Sequence, residues 1–466
     1  MKRKDFLQSA LLLGASTMAY NPLWSRSVAG TAQELTGKTA KNIIFLVSDG
    51  MSAGTLTMAD LVMRRKLGRP SSWISLYSNP EVKRGLMDTA AANAIVTDSA
   101  AAGSAWGGGV RVPNGMLNTN EEGQTFEPIF SKFKKAGKSI GCVTTVPITH
   151  ATPASFLVSA KSRNMQEEIA LLYKELKPDV LMGGGHEFFS AKKRKDAQDL
   201  YHAFENMGYD VVQNKAEFLK KSKSKKPFLG VFHENGLPYS VDLGSDPTIQ
   251  EAIPTLAEMT STAIEKLSRN KQGFVLQVEG GKVDWAAHQN DAAGVIYDQI
   301  AFDNAVQVAL DFATRNNDTL VIITTDHGNS NPGVFLGKDV NSKFDTVFEA
   351  RHSNEWILKG INHDSSINTI IERVHQASNI KINSEEAVKI LKNMPVEGVG
   401  EVFNPFAMPF HVLSEIQTQY HCIGWSANTH TGDFVELAMI GPGSELMKPF
   451  VLNTDLHQIM LTAGGI

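Results

Sequence analysis

The sequence predicts an α/β fold of three layers, in which helices cover both faces of a mostly parallel central sheet and a partly helical, cap-like insertion interrupts the chain. Continuous apolar runs of strand length recur, and each is followed by a polar or glycine-rich turn. Such runs are typical of parallel strands that are buried on both faces. Helical patterns separate the runs, and this alternation favours a parallel sheet between two layers of helices.

The individual elements follow from these patterns. Strands are predicted over 42–48, 139–145, 180–182, 273–278 and 319–325, with a late core strand over 434–440. Helices are predicted over 126–136, 165–176 and 296–313, and again over 366–375 and from Ser384 to before Pro395. The strand–helix alternation stops between about 330 and 420. We therefore expect a core over 40–330, an inserted subdomain over 331–420, and a C-terminal part of the core over 421–466.

Residues 1–32 have the pattern of an export signal. Lys2, Arg3 and Lys4 precede a short apolar run over 6–19, and small residues that suit cleavage follow near 27–32. Because the run is too short to span a bilayer, we expect no transmembrane segment once the signal is removed. The sequence predicts a periplasmic or secreted protein, exported by the Sec or the Tat route. A frayed N-terminal helix is the alternative.

Composition excludes little beyond bulk binding to polyanions. The chain has 466 residues, 42% of them hydrophobic, and a net charge of -4, which gives no reason to expect a nucleic-acid partner. Two basic runs, at 192–195 and 220–226, flank a predicted helix over 196–207 and are expected to be solvated surface loops. A role in binding an anionic partner is the alternative for these runs.

The segment 96–103, Val-Thr-Asp-Ser-Ala-Ala-Ala-Gly, places Ser99 near the start of a predicted helix that Thr97 or Asp98 could cap. The first turn of a helix favours an anion through its free N–H groups and its dipole. A serine held there could attack a phosphate. An ordinary capped helix explains the same octapeptide equally well, so the argument depends on the rest of the chain.

Residues able to bind metals follow several predicted strands. They are Asp49, His150 with Thr152, Glu279, and Asp326 with His327. The carboxyl edge of an open α/β sheet is where ligands bind, and chance accounts poorly for so many metal-binding side chains at strand ends.

Two further patterns extend this set. Asp284 and His288 are four residues apart and can share a helix face, while His430 precedes the late strand. Carboxylates and imidazoles without thiolates indicate zinc or a similar ion. Two such ions suit phosphoryl transfer and could activate Ser99 without a histidine base. No G-x-S-x-G motif supports a Ser-His-Asp hydrolase.

The chain resembles the alkaline phosphatases of the metal-dependent, serine-nucleophile type. The motifs that carry the resemblance appear in the family's order and cover nearly all of the chain after the signal, apart from the insert. They are Ser48-Asp49-Gly50, Thr97-Asp98-Ser99-Ala100, 149–155, Gly183-Gly184-Gly185, Glu279-Gly280 through His288, Asp326-His327 and His430-Thr431-Gly432. The resemblance implies the fold of this family and hydrolysis of small phosphate monoesters to an alcohol and phosphate.

The resemblance also implies a role for each matching residue. Ser99 would be phosphorylated and then dephosphorylated by a metal-bound water, and Arg163, 11 residues after Thr152, would clamp the phosphate. Three metal ions would be held as follows: one Zn²⁺ by Asp284, His288 and His430; a second Zn²⁺ by Asp49, Asp326 and His327; and one Mg²⁺ by Asp49, Thr152 and Glu279.

Two positions near the third metal or the phosphate depart from the family pattern. His150 stands where some members have aspartate, and Trp285 stands where others have lysine or histidine. With His150 the third site could prefer zinc or another softer ion to magnesium. The insert over 331–420 replaces the family's crown-like region and could shape the substrate entrance or a homodimer contact.

Other activities of the same superfamily remain as alternatives. A sulfatase would need a C/S-x-P-x-R motif, which the segment at Ser99 lacks. A phosphodiesterase would more often carry a threonine nucleophile and no third metal site. An inactive homologue that binds metal or phosphate is the remaining alternative.

Overall fold

A computed structural model of the chain describes residues 39–396 and 404–466, so the predicted export signal over 1–32 lies outside the described residues. The fold is organised around one ten-stranded sheet. Its strands are β1 (Asn42–Val47), β2 (Lys83–Asp88), β3 (Ser139–Pro147), β4 (Val180–Gly184), β5 (Asp210–Val212), β6 (Phe228–Val231), β7 (Phe274–Glu279), β8 (Thr319–Thr324), β9 (Val435–Ile440) and β10 (Phe450–Leu452).

The strand order is β10-β2-β9-β8-β1-β7-β3-β4-β6-β5. Only β9 runs against its neighbours, β8 and β2, so the predicted mostly parallel sheet is confirmed. The predicted strands are found to within about two residues at their ends. The sequence did not predict four strands: β5, β6 and β10 have only three or four residues, and β2 is polar and largely exposed, so none of them has a long apolar run.

Helices connect the strands and cover the sheet. They are α1 (Ala53–Leu67), α2 (Ser72–Leu76), α3 (Ser99–Gly107), α4 (Ile129–Lys135), α5 (Ala151–Leu157), α6 (Gln166–Leu176), α7 (Leu200–Asn206), α8 (Lys215–Lys221), α9 (Ser240–Ser245), α10 (Pro247–Ala252), α11 (Leu256–Leu267), α12 (Lys282–His288), α13 (Ala292–Arg315), α14 (Val340–Phe344), α15 (Asn354–Lys359), α16 (Ile367–Ser378), α17 (Ser384–Lys392), α18 (Phe410–His421) and α19 (Asp455–Ala463).

Two predicted helices begin later than expected. The helix predicted from 126 begins at Ile129, because Pro128 disfavours helical backbone at the residue before it. The helix predicted from 196 begins at Leu200, where the Asp199 side chain accepts a hydrogen bond from the His202 N–H and caps it.

Both faces of the sheet are buried, as the continuous apolar strands predict. Along β1, Ile43, Phe45 and Val47 belong to one apolar cluster, and the alternating residues Ile44 and Leu46 belong to another. Successive side chains of a strand point to opposite faces, so the two clusters are the two layers between sheet and helices. This confirms the three-layer architecture.

Aromatic packing fixes helices α3 and α5 against the centre of the sheet. The Phe45 ring centroid lies 5.0 Å from that of Trp106 on α3 and 5.1 Å from that of Phe156 on α5. All three side chains are fully buried. Since α3 begins at Ser99, this packing sets the position of the predicted nucleophile relative to β1.

Part of the segment 331–420 packs an apolar cluster of its own, which includes Ile357, Val374, Ile390 and Leu413, whereas Phe344 and Val347 pack with residues of α1 and α13. A two-residue strand, Gly333–Val334, pairs with Ile423–Gly424 and brings the two ends of this segment together. The separate cluster agrees with the expected inserted subdomain, whose boundaries stay a prediction. Within the described ranges, no helix combines the length and apolarity needed to cross a membrane.

The Phe45→Ala substitution is expected to lower the free energy of unfolding by about 3–5 kcal/mol, because it leaves a cavity beneath α3 and α5. Denaturant unfolding checks this. Leu219→Ala on α8 is the control, because Leu219 is 58% exposed and should change stability little. Equal losses in the two variants would contradict the assigned packing.

Candidate active site

The register of the central strands brings three acidic side chains to one edge of the sheet. Val47 of β1 pairs with Glu279 of β7 on one side and with Thr324 of β8 on the other. Asp49 and Asp326 each lie two residues beyond these paired positions. Because β1, β7 and β8 are parallel, their carboxyl ends meet, and all three carboxylates are buried there.

The antiparallel strand β9 brings His430 to the same edge. Because β9 runs antiparallel to β8, β9 begins where β8 ends: Leu437 of β9 pairs with Thr324 of β8. Residues that precede β9 therefore lie at the carboxyl end of β8. A two-residue strand at His430–Thr431 also pairs with Gly328–Asn329. As a result, the His430 ring stacks on the His327 ring with 3.7 Å between centroids.

Helix α12, which follows β7, carries Asp284 and His288 one turn apart, as the sequence predicts. The Nε2 atom of His288 is 3.4 Å from Asp284 Oδ2 and 3.1 Å from Nε2 of His430. The Nε2 atom of His430 is 3.5 Å from Asp284 Oδ1. These three side chains therefore form one cluster of potential ligands.

A second cluster adjoins the first through His327. Its Nε2 atom is 3.1 Å from Asp326 Oδ2 and 3.6 Å from Asp49 Oδ1. The same imidazole also lies within 4.8 Å of ligand atoms of Asp284 and His430. Two ion sites side by side are thus compatible with the arrangement.

Backbone carbonyls fix the tautomer of the three histidines in these clusters. The Nδ1 atom of His288 faces the Asn428 carbonyl at 2.9 Å, that of His430 faces Thr97 at 2.9 Å, and that of His327 faces Gly328 at 3.3 Å. A carbonyl can only accept, so Nδ1 carries the proton in each ring. In the neutral ring, Nε2 then carries the lone pair that a metal ligand must present.

The third cluster contains Asp49, Glu279 and His150. The Thr152 hydroxyl donates to Asp49 Oδ2 at 3.3 Å, and the Thr144 hydroxyl donates to Glu279. The predicted third metal site is therefore assembled from β3, α5 and β7, with Asp49 shared with the second cluster.

His150 differs from the other three histidines. Its Nε2 atom lies 2.9 Å from Nη2 of Arg163, and arginine can only donate, so Nε2 is the acceptor. Burial and then the Arg163 charge lower the pKa of His150 to about 3, so the ring is neutral. Its proton is therefore on Nδ1, and neither nitrogen has a lone pair left for an ion in this arrangement.

Buried oxygen atoms without partners support a cation at the clusters. Asp49 Oδ1, Asp326 Oδ2 and Glu279 Oε1 make no hydrogen bond. Burial, together with the charges of Asp326, Asp284 and Glu279, raises the pKa of Asp49 well above its usual range; burial raises the pKa of Glu279 to about 7. Unpaired buried carboxylates are costly, and divalent cations would neutralise them. The donor set fits such ions.

Ser99 lies at the border of the first two clusters. It is the first residue of α3, and Asp98 caps that helix by accepting a hydrogen bond from the Ala101 N–H. The Ser99 Oγ atom is buried 3.4 Å from Nε2 of His327. The predicted placement at a capped helix start is found, with Asp98 rather than Thr97 as the cap.

Arg163 reaches the site from the loop before α6. Its Nη1 atom donates to Asp98 Oδ2 at 3.0 Å, so one carboxylate both caps α3 and holds the guanidinium. Burial opposes ionisation, but the Arg163 charge prevails and lowers the pKa of Asp98 below its usual value. Trp285 packs edge-on against His150, with ring centroids 6.0 Å apart.

All twelve residues singled out from the sequence thus lie at one edge of the sheet. Their roles as ligands, nucleophile and phosphate clamp stay predictions. Sequence reasoning did not identify three hydrogen-bonded pairs that support these residues. They are Thr144 with Glu279, Arg163 with Asp98, and Asn329 with Asp284, in which Asn329 Nδ2 donates to Asp284 Oδ1 at 2.7 Å. Thr144 falls at the end of a predicted strand, but the other two pairs have no spacing signal.

Comparisons with known proteins agree with this geometry. A family model described as alkaline phosphatase matches residues 40–466. Alkaline phosphatase 3 of Bacillus subtilis is 31% identical, over 99% of this chain and 97% of its own length. The crystal structure of Thermus thermophilus alkaline phosphatase is similar with a TM-score of 0.85 and 32% identity, covering 92% of each chain.

Removal of divalent ions with a chelator is expected to lower the melting temperature, because ions that bind the folded clusters stabilise the folded state. Readdition of Zn²⁺ and Mg²⁺ should restore it, as thermal unfolding can measure. The Asp284→Asn variant should retain fewer ions per chain by metal analysis. A control, Asp311→Asn on the exposed part of α13, should retain as many ions as the unaltered chain. Indifference of the melting temperature to the chelator would contradict the site.

Proposed function

We propose that this chain, which belongs to the alkaline phosphatase family and is a phosphomonoesterase, hydrolyses small phosphate monoesters through a phosphoserine intermediate on Ser99. Two Zn²⁺ ions and one Mg²⁺ ion are the proposed cofactors. The first zinc site would use Asp284, His288 and His430, and the second would use Asp49, Asp326 and His327.

The observation that carries the proposal is the position of Ser99 Oγ, 3.4 Å from Nε2 of His327 at the border of two ligand clusters. The His327 Nδ1 faces a carbonyl, so in the neutral ring Nε2, which lies towards Asp326 and Ser99, carries the lone pair. If that lone pair is given to an ion, no imidazole remains beside Ser99 as a general base. Bound divalent ions would instead supply activation of the hydroxyl and stabilisation of the leaving oxygen.

The chain's own residues then bind and orient the phosphoryl group. The amino end of α3 favours the negative charge of a phosphate at Ser99. The Arg163 guanidinium offers a planar fork of donors that suits two phosphate oxygens. Asp98 holds Arg163 from one side, so that the clamp is ordered before the substrate arrives.

The proposed third site takes oxygen ligands from Asp49, Thr152 and Glu279. The Nε2 atom of His150 accepts a hydrogen bond from Arg163, so His150 contributes no nitrogen ligand while that hydrogen bond lasts. Oxygen ligands alone suit Mg²⁺ better than zinc. This supports magnesium at the third site in spite of the histidine.

The segment 331–420 is proposed to shape the substrate entrance. A cavity of about 300 Å³ touches His288 and Asn428 on one side and Pro405, Phe406 and His411 of the segment on the other. The leaving group of a monoester would therefore meet side chains of this segment. A homodimer contact through the segment and export through residues 1–32 stay predictions.

Substitution of Ser99 by alanine is expected to lower kcat for an aryl phosphate by roughly a thousandfold or more, because it removes the hydroxyl that forms the proposed intermediate. Metal content should stay unchanged. Steady-state kinetics, metal analysis and mass spectrometry of acid-quenched enzyme check the three expectations, since only the unaltered chain should yield a phosphorylated Ser99 peptide.

The matched control is Ser104→Ala on the same helix. The Ser104 hydroxyl donates to the Ala100 carbonyl at 2.7 Å within α3 and is not part of the ligand clusters. This variant should lose some stability and keep kcat within about tenfold. Near-normal turnover in Ser99→Ala would exclude Ser99 as the nucleophile. An aryl phosphodiester, measured in parallel, tests the diesterase alternative.

The Arg163→Ala variant is expected to weaken competitive inhibition by inorganic phosphate roughly 10- to 100-fold, because a hydrogen bond to a charged group contributes about 1.5–3 kcal/mol. The control is Arg111→Ala, which breaks an equally short ion pair, 2.9 Å to Asp88, away from the clusters. Phosphate inhibition should be unaltered in that control. Equal inhibition constants in both variants would argue against a clamp at Arg163.

A further inference from the structure

Five cationic side chains line a cavity at the amino edge of the sheet, which the proposed phosphatase reaction does not use. They are Lys177, Lys225, Lys226, Lys266 and Arg269. The cavity has a volume of about 350 Å³, and Asp179 is the one carboxylate that lines it. We propose that this basic cavity is a second anion-binding site, which takes a small phosphorylated anion of two or more charges.

The basic cavity lies at the end of the sheet opposite the ligand clusters. Ser139, which begins β3, lines it, as do Asp179 just before β4 and Pro227 just before β6. The nine residues of β3 separate this end from the carboxyl end by roughly 25 Å at about 3.3 Å per residue. An anion in the basic cavity therefore does not touch the residues of the proposed active site.

Contacts between side chains and backbone hold the lysine-rich loop against the basic cavity. The Ser224 carbonyl accepts hydrogen bonds from Lys266 Nζ at 2.9 Å and from Arg269 Nη1 at 2.6 Å. These two residues lie at the carboxyl end of α11, and they fix the loop that carries Lys225 and Lys226. The basic run over 220–226 is predicted to be a solvated loop; its first two lysines end α8, and Lys225 and Lys226 are exposed as predicted and also line the cavity.

Nearby helix ends explain only some of the five cationic side chains that line the basic cavity. Cations near the carboxyl end of a helix complement its dipole, which accounts for Lys266 in the last turn of α11, for Arg269 just beyond it and for Lys177 after α6. No helix end accounts for Lys225 and Lys226. Within the described ranges, the side chains of these two lysines have no ion pair or hydrogen bond to a protein group.

The electrostatics of the basic cavity favour an anion. Clefts lined by charges of one sign concentrate the field and attract ions of the opposite sign. Asp179 offsets one of the five positive charges and Glu265 pairs with Arg269 at 3.3 Å, so a net positive charge remains. Burial disfavours the charged form of Lys266 and lowers its pKa to about 8. A bound anion would favour the charged form. The volume admits a diphosphate-sized group beside the apolar wall of Met207, Tyr209 and Leu267.

The double variant Lys225→Gln/Lys226→Gln tests the proposal on the metal-loaded, full chain. The probe is methylenediphosphonate, whose P–C–P bridge the enzyme cannot hydrolyse, and calorimetry measures its binding. We expect the unaltered chain to bind it at two places, the active site and the basic cavity. The double variant should lose the second binding event or weaken it at least tenfold, with unchanged kcat and KM for an aryl phosphate.

The matched control is Lys192→Gln/Lys195→Gln, which removes the same charge from exposed lysines that do not line the basic cavity. It should bind the probe at both places. Melting temperatures verify that both variants are folded, and because neither Lys225 nor Lys226 has a partner to lose, we expect no change. Identical isotherms for the two double variants, with no vesicle binding, would overturn the proposal.

A second arm separates the two sources of such an anion. Cosedimentation with vesicles of phosphatidic acid and phosphatidylcholine, compared with phosphatidylcholine alone, tests a lipid headgroup. Binding to the anionic vesicles that Lys225→Gln/Lys226→Gln abolishes would assign the headgroup. Probe binding without vesicle binding would assign a free phosphorylated anion.

Discussion

Burial of like charges at the carboxyl edge of the sheet is the constraint on which the site depends. Asp49, Glu279, Asp284 and Asp326 are each at most 4% exposed, and three of them have an oxygen that makes no hydrogen bond. Burial opposes ionisation of all four and repulsion adds to this at Asp49, so the pKa of Asp49 and that of Glu279 are raised, whereas neighbouring histidines lower the pKa of Asp284 and Asp326. Divalent cations would convert this repulsion into attraction, so the folded edge is organised to receive them.

The sheet produces this constraint through its topology. The central strand β1 lies between β7 and β8, and the register places Val47 opposite both Glu279 and Thr324. The single reversed strand, β9, adds His430 from a part of the chain that follows the insert. A one-residue slip of β1 would turn its entire apolar set to the opposite face, so packing of both layers also protects the spacing of the ligands.

Charged side chains have different partners at the two edges of the sheet. At the carboxyl edge, Asp98 links the cap of α3 to the Arg163 guanidinium, and Arg163 in turn occupies the acceptor of His150. One hydrogen-bonded chain therefore connects the helix of the proposed nucleophile, the proposed phosphate clamp and the third cluster. A phosphate that draws Arg163 away would release His150, so a single guanidinium would couple the proposed substrate site to the third cluster. At the amino edge, by contrast, Lys225 and Lys226 lie beside Lys266 and Arg269 with no ion pair or hydrogen bond from their own side chains to the described residues.

The sequence by itself determined the fold class, the central strands and every ligand candidate, because each depends on a local pattern: apolar runs, strand-end side chains and the four-residue spacing of Asp284 and His288. It did not determine the strands β2, β5, β6 and β10, whose pairing compensates for weak local patterns. Only the tertiary structure decided which nitrogen of each histidine is available, since Asn428, Thr97 and Gly328 supply the deciding carbonyls. It likewise decided that Lys225 and Lys226 share a cavity with α11, because such contacts join residues distant in the chain and leave no spacing signal.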